Sequence, residues 1–101
     1  MTTKRAKTFL ENEVGPLTLG DLLYSIRFGE EMTQDQFAKQ LGISKSHLCD
    51  LEKRRKFASP ARAARFAKKL GYPTKQFLRL AFQDQLLQAG LMFKVSIEEM
   101  A

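Results

Sequence analysis

One cysteine, one histidine and three prolines are all that this 101-residue chain holds of three structurally decisive residue types. A single Cys excludes an internal disulfide framework and fits a reducing compartment. One His and one Cys fall well short of a metal ligand set, so no metal and no cofactor is expected. Three Pro, with no low-complexity tract and no internal repeat, are too few for a disordered chain. No apolar run approaches the roughly 18 residues of a membrane span. The opening MTTKRAKTF has basic residues with no apolar stretch behind them, so no secretory signal is expected. These absences describe a soluble, cytoplasmic, one-domain chain without membrane contact. Positive charge is in excess: 17 Lys and Arg against 11 Asp and Glu give +6 and a pI near 9.7, which suits a polyanionic partner.

The pattern predicts five helices and an all-α fold. The first follows Gly15-Pro16, with Thr18 as N-cap, Leu19, Leu22, Leu23 and Ile26 on one face, and Gly29 to end it. The second opens at Thr33 with Gln36 three residues later, a capping box, buries Phe37, Ala38 and Leu41, and stops at Gly42. The third opens at Ser44 and buries Leu48 and Leu51. Ser59 caps the fourth, with Pro60 where a missing N–H costs nothing; Ala63, Ala64, Phe66, Ala67 and Leu70 precede Gly71. The fifth runs from Thr74 to about Gly90 and is apolar on more than one face. Either the N-terminal segment, through Phe9, Leu10 and Val14, or a second chain covers the face left over.

Period two appears only at the end. In LMFKVSIE (91–98), Leu91, Phe93, Val95 and Ile97 alternate with Met92, Lys94, Ser96 and Glu98. A lone strand leaves its backbone donors unpaired unless another chain supplies partners. The alternative is a loose tail, or one packed flat on its own domain.

Helices two and three are joined by a short turn holding Gly42, as in the helix-turn-helix unit that reads DNA. Ala38 is small enough for a close crossing, and Ile43, Leu48 and Leu51 pin the third helix from behind. At about 100° per residue, the opposite side centres on Ser46, Asp50 and Lys53, flanked by Lys45 and His47 at the end that enters a major groove. Lys donates to guanine O6 and N7, Ser to several bases, and Asp accepts from cytosine N4. The run Lys53-Arg54-Arg55-Lys56 suits phosphates, as do the free N–H groups where helices two, three and four begin.

The stretches IRFGEEMTQDQFAKQLGISKSHLCDLE and SPARAARFAKKLGYP, within about 19–72, resemble the Cro/C1-type helix-turn-helix domain of phage repressors and Xre regulators. The resemblance implies a compact five-helix domain binding an inverted-repeat operator in duplex DNA as a homodimer. It implies a phosphate or helix-positioning role for Gln34 at the start of helix two, beside Thr33, and an N-cap and phosphate role for Ser44. Lys45, Ser46 and Asp50 correspond to base-reading positions, and His47 to a base or phosphate position. It also implies an ion pair between Arg27 and Glu52. One departure stands out: the family usually has Asn-Gly after the Glu, where this chain has Lys53-Arg54. Without that Gly, helix three either extends or the loop takes another course.

An enzyme is not expected. His47 and Cys49 lie two apart on one helix and point about 200° from each other, so they cannot form a nucleophile–base pair. The chain divides into an N-terminal segment (1–17), a helix-turn-helix domain (18–73), and helix five with the strand-like tail (74–101). Leu86, Leu87, Leu91, Phe93, Val95 and Ile97 are the candidate dimer or partner interface. Two functions share this layout: a dimeric repressor, or an antitoxin that also binds a toxin protein through its C-terminal region. The basic stretch 4–7, KRAK, is either an arm for a neighbouring groove or ordinary terminal charge.

Overall fold

The computed structural model describes residues 18–100; the expectations for the arm at 4–7 and for Phe9, Leu10 and Val14 lie outside them. The described residues form five helices: α1 Leu19–Gly29, α2 Gln34–Leu41, α3 Lys45–Glu52, α4 Pro60–Leu70 and α5 Thr74–Gln88. Their boundaries follow from local chemistry. Thr18 and Thr33 each accept the backbone N–H three residues on, and Asp21 and Gln36 return the bond, two complete capping boxes. Ser44 and Ser59 cap α3 and α4 by accepting from the backbone of His47 and Arg62. Gly42 and Gly71 end α2 and α4 in the left-handed conformation, at φ 78° and 75°. Helix α1 ends differently. Gly29 is its last helical residue, and the left-handed turn is taken two positions later by Glu31 at φ 56°.

All five helices surround one core. Leu19, Leu22, Leu23 and Ile26 of α1 meet Phe37, Ala38 and Leu41 of α2, Leu48 and Leu51 of α3, Ala63, Phe66 and Ala67 of α4, and Phe77, Leu80 and Ala81 of α5. Apolar side chains at spacings of three and four supply one stripe per helix, and burying each is worth about 1.5–3 kcal/mol. Ala64 and Leu70 lie only half-buried at the edge of the α4 stripe. Helices α4 and α5 pack on each other most extensively, so α5 is part of the domain's own core.

The inner face of α5 also carries two buried polar residues, Gln83 and Asp84. Asp84 accepts the backbone N–H of Leu19 at 3.2 Å, satisfying an orphan donor at the start of α1. Its other oxygen has no partner among the described residues, and burial pushes its pKa up to about 6. Beyond Gly90, residues 91–100 run without helix, turn or bend, and no strand ladder forms among the described residues. Most of the tail is exposed, and hydrogen bonds tie it to α5 at one place. Gln83 holds it, donating to the Phe93 carbonyl at 2.6 Å and accepting from the Val95 N–H at 3.0 Å.

Candidate nucleic-acid interface

The turn between α2 and α3 fixes how α3 is presented. Gly42 N–H donates to the Lys39 carbonyl, and Ile43 N–H to the Ala38 carbonyl at 3.0 Å. Ala38 is buried and Ile43 packs against the core. Leu48 and Leu51 anchor the inner face of α3, at 0% and 3% exposure. A second device sets the depth of α3: Gly20 of α1 lies so close that a Cβ there would stand 1.9 Å from the Leu51 carbonyl oxygen.

A polar knot fixes the far end of α3. Arg27 donates through Nε to Glu52 Oε2 at 2.8 Å and through Nη2 to Oε1 at 3.0 Å, a bidentate pair. Its Nη1 donates to the Met32 carbonyl at 3.2 Å, and Gln34 Nε2 donates to Glu52 Oε1 at 3.0 Å. The hydrogen bond to Glu52 raises the Arg27 pKa despite partial burial, and the guanidinium sits 5.4 Å from the Tyr24 ring centroid. Helix α1, the α1–α2 loop, the start of α2 and the end of α3 thus share one carboxylate. Gln34 is engaged within the protein rather than free.

Helix α3 does not extend past Glu52. Lys53 is its C-cap, and Arg54 occupies the left-handed region at φ 61°, where the family usually has Gly. A non-Gly residue there costs about 1–2 kcal/mol, and Arg54 offsets it by pairing with Asp21 at 2.5 Å. The chain then folds back on Asp50. The Asp50 carbonyl accepts from the Arg55 and Lys56 N–H groups at 2.8 and 3.2 Å, and its carboxylate pairs with Arg55 Nε at 2.9 Å and Lys56 Nζ at 3.6 Å. The Arg55 hydrogen bond, followed by its charge and that of Lys56, holds the Asp50 pKa below the usual carboxylate value. Asp50 is thus on the outer face with its carboxylate already occupied, and Arg55 also reaches Cys49 Sγ at 3.6 Å.

Fewer commitments bind the amino-terminal end. Lys45 and Ser46 are exposed, and among the described residues Lys45 has only a long contact of 3.9 Å to the exposed Asp35. Ser44 and Thr33 accept through their hydroxyl oxygens and keep their O–H donors. His47 Nδ1 lies 3.3 Å from Arg62 Nη1. A guanidinium only donates, so Nδ1 accepts and the ring proton sits on Nε2. Burial first, then the Arg62 and Lys56 charges, lowers the His47 pKa, which keeps the ring neutral at pH 7.

Lys45, Ser46 and His47 thus stand together at one end of α3, and Lys53 to Lys56 at the other, with Arg27 and Glu52 behind them. Sequence reasoning passed over three residues here. Arg62 carries no spacing signal. Gly20 had one, since a Gly inside an apolar helical stripe marks a close approach. Asp21 lies three residues after Thr18, a local capping signal, but nothing local marks it as the mate of Arg54. Among the described residues no group of three or more His, Cys, Asp or Glu could hold a metal ion, and no helix is long and apolar enough to cross a membrane.

A family model described as Helix-turn-helix matches residues 30–77, from the α1–α2 loop to the start of α5. No curated protein and no solved structure matches the chain. The matched segment contains the whole of α2, the Gly42 turn, α3 and α4. Residues 30–77 are a helix-turn-helix domain of the Cro/C1 type, a double-stranded DNA-binding domain of transcription regulators.

Proposed function

We propose that the chain is a sequence-specific regulator, a dimeric repressor acting in the cytoplasm, that lays α3 with its two caps (44–53) in the major groove. The observation that carries this reading is the set of uncommitted donors on Lys45, Ser46 and His47 Nε2, opposite the buried Leu48 and Leu51. Lys45, Ser46 and His47 read base edges; the Thr33 and Ser44 hydroxyls and Lys53 to Lys56 meet phosphates. Asp50 and Gln34 position their neighbours: Asp50 holds Arg55 and Lys56, and Gln34 orients α3 through Glu52. The reading unit is 18–73. The segment 74–101 brings two copies together through Leu86, Leu87, Leu91, Phe93, Val95 and Ile97, and no catalytic step is assigned to the chain.

Selection from a random duplex pool, at near-physiological salt with competitor DNA, tests the proposal. An enriched inverted repeat, with half-site centres about 10 base pairs or a multiple apart, is the expected result. Salt-sensitive binding without an enriched sequence would reduce the chain to a non-specific basic module. A second reading, an antitoxin gripping a toxin protein, draws on an apolar cleft of about 340 Å³ between α5 and the tail, lined by Leu80, Leu87, Met92 and Phe93. A small toxin-like reading frame beside the gene, whose product binds the purified protein, would favour it.

A further inference from the structure

The tail is held by one edge only. In an extended chain the N–H and C=O of a residue point to the same edge, and those of its neighbours point to the other. Gln83, buried on α5, occupies the edge of the odd-numbered residues, bonding the Phe93 carbonyl and the Val95 N–H with its two amide atoms. Among the described residues no hydrogen bond engages the backbone of Met92, Lys94 or Ser96 on the opposite edge, and all three residues are exposed. A strand fixed along one side and unsatisfied along the other is built to accept another strand. Because Gln83 has already ordered it, pairing costs less entropy than recruiting a loose tail.

The side chains say which strand. Antiparallel pairing of two copies about a two-fold axis can place that axis at Lys94, Val95, Ser96, Ile97 or Glu98. An axis at Lys94 or Glu98 sets like charges opposite each other. An axis at Val95 or Ile97 leaves Lys94 and Glu98 opposite Ser96 or a methionine, and Glu99 opposite Leu91 or Val95. With the axis at Ser96, Lys94 of each copy faces Glu98 of the other, Met92 faces Met100, and Val95 faces Ile97. Phe93 then lies opposite Glu99, but only that register sets Lys94 opposite a carboxylate.

We propose that the tail's free edge pairs with the same edge of a second copy, antiparallel, with Ser96 on the two-fold axis and Gln83 as the clamp that presents each strand. This rests on the dimeric reading above and gives it an interface. The pairing makes one antiparallel ladder through 92–100 and closes on itself, since the second copy uses the same edge.

A charge-reversal cycle on the full chain, without DNA and at low salt, tests the register through the monomer–dimer Kd by sedimentation equilibrium. Lys94→Glu puts two carboxylate pairs opposite each other by symmetry, and Glu98→Lys puts two ammonium pairs there. Each should raise the Kd by about tenfold, and the double variant should restore it. In a Cys49→Ala background, Ser96→Cys should form a covalent dimer under a glutathione redox buffer, since axial Cα atoms lie about 5.5 Å apart. Lys94→Cys should not, its two copies being about 13 Å apart along the strands. Single variants that leave the Kd unchanged, a double variant that fails to restore it, or cross-linking at 94 in place of 96 would overturn the pairing while leaving the dimeric reading intact. A chain monomeric at every concentration, on DNA and off it, would overturn both.

Discussion

Gly20→Ala adds one methyl group at the place where α1 touches α3, the helix proposed to enter the major groove. Its Cβ would stand 1.9 Å from the Leu51 carbonyl oxygen and 2.9 Å from the carbonyl carbon, against 3.4–4 Å for ordinary contact. Both atoms are backbone, so no rotamer change relieves the overlap, and α1 and α3 must separate by about 1.5 Å in a close-packed interior. Overpacking costs about 1–3 kcal/mol where side chains yield and more where backbone must, so about 3–5 kcal/mol is expected here. Replacing a helical Gly by Ala returns about 1 kcal/mol. The net loss is about 2–4 kcal/mol, which for a domain of this size lowers Tm by roughly 10–20 °C. Urea unfolding followed by circular dichroism should show a lower midpoint with an unchanged slope. Gly71→Ala is the control, with nothing near its Cβ and a φ of 75°, so it bears only left-handed strain of about 1–2 kcal/mol. A Gly20→Ala protein as stable as the parent, or more so, would refute the close α1–α3 approach at Leu51.

Three further outcomes follow from named contacts. Asp84 has its folded pKa pushed up from 3.8 to about 6, so the folded state favours its proton and stability falls as pH rises from about 4 to 6. Asp84→Asn should therefore stabilise the protein above pH 6, by up to about 3 kcal/mol, with the advantage gone below pH 4; a pH-independent difference in unfolding free energy would contradict the burial argument. Arg62→Ala removes a cation beside His47, so the imidazole pKa, followed by NMR titration, should rise, and an unmoved value would mean the two side chains do not meet in solution. Arg54→Ala keeps the left-handed strain and loses the Asp21 pair, whereas Arg54→Gly loses only the pair, so the Gly variant should be the more stable by about 1 kcal/mol; equal stabilities would place the turn elsewhere.

How far the sequence carried depended on whether a signal was local. Thr33 with Gln36, Ser59 with Pro60, and Gly42 and Gly71 mark their helix ends because each cap is completed within a few residues. The apolar stripes named the core for the same reason. What stayed hidden depends on long-range meetings. Nothing near Arg54 says that it adopts the conformation of a Gly, since the compensating carboxylate of Asp21 is 33 residues away. Asp50 looked free on a helical wheel, but the loop folds Arg55 and Lys56 back onto it. The alternation in 91–98 suggested an edge in need of a partner, and Gln83 answered half of that need from within the chain. A polar Gln in the buried stripe with Phe77, Leu80 and Asp84 was the available clue.

In the proposed docking, the amino-terminal end of α3 reads bases while its carboxy-terminal end holds the DNA backbone. Affinities of Lys45→Ala and of Lys53→Ala for the selected operator, and for every single base-pair change in one half-site, test it most directly. Lys45→Ala should lose about 1–3 kcal/mol of discrimination at one position and leave the others as they were. Lys53→Ala should weaken all sites alike and reduce the slope of log affinity against log salt by about one. Two variants with the same flat loss across every site would contradict the account, and so would a position-specific loss from Lys53→Ala with none from Lys45→Ala.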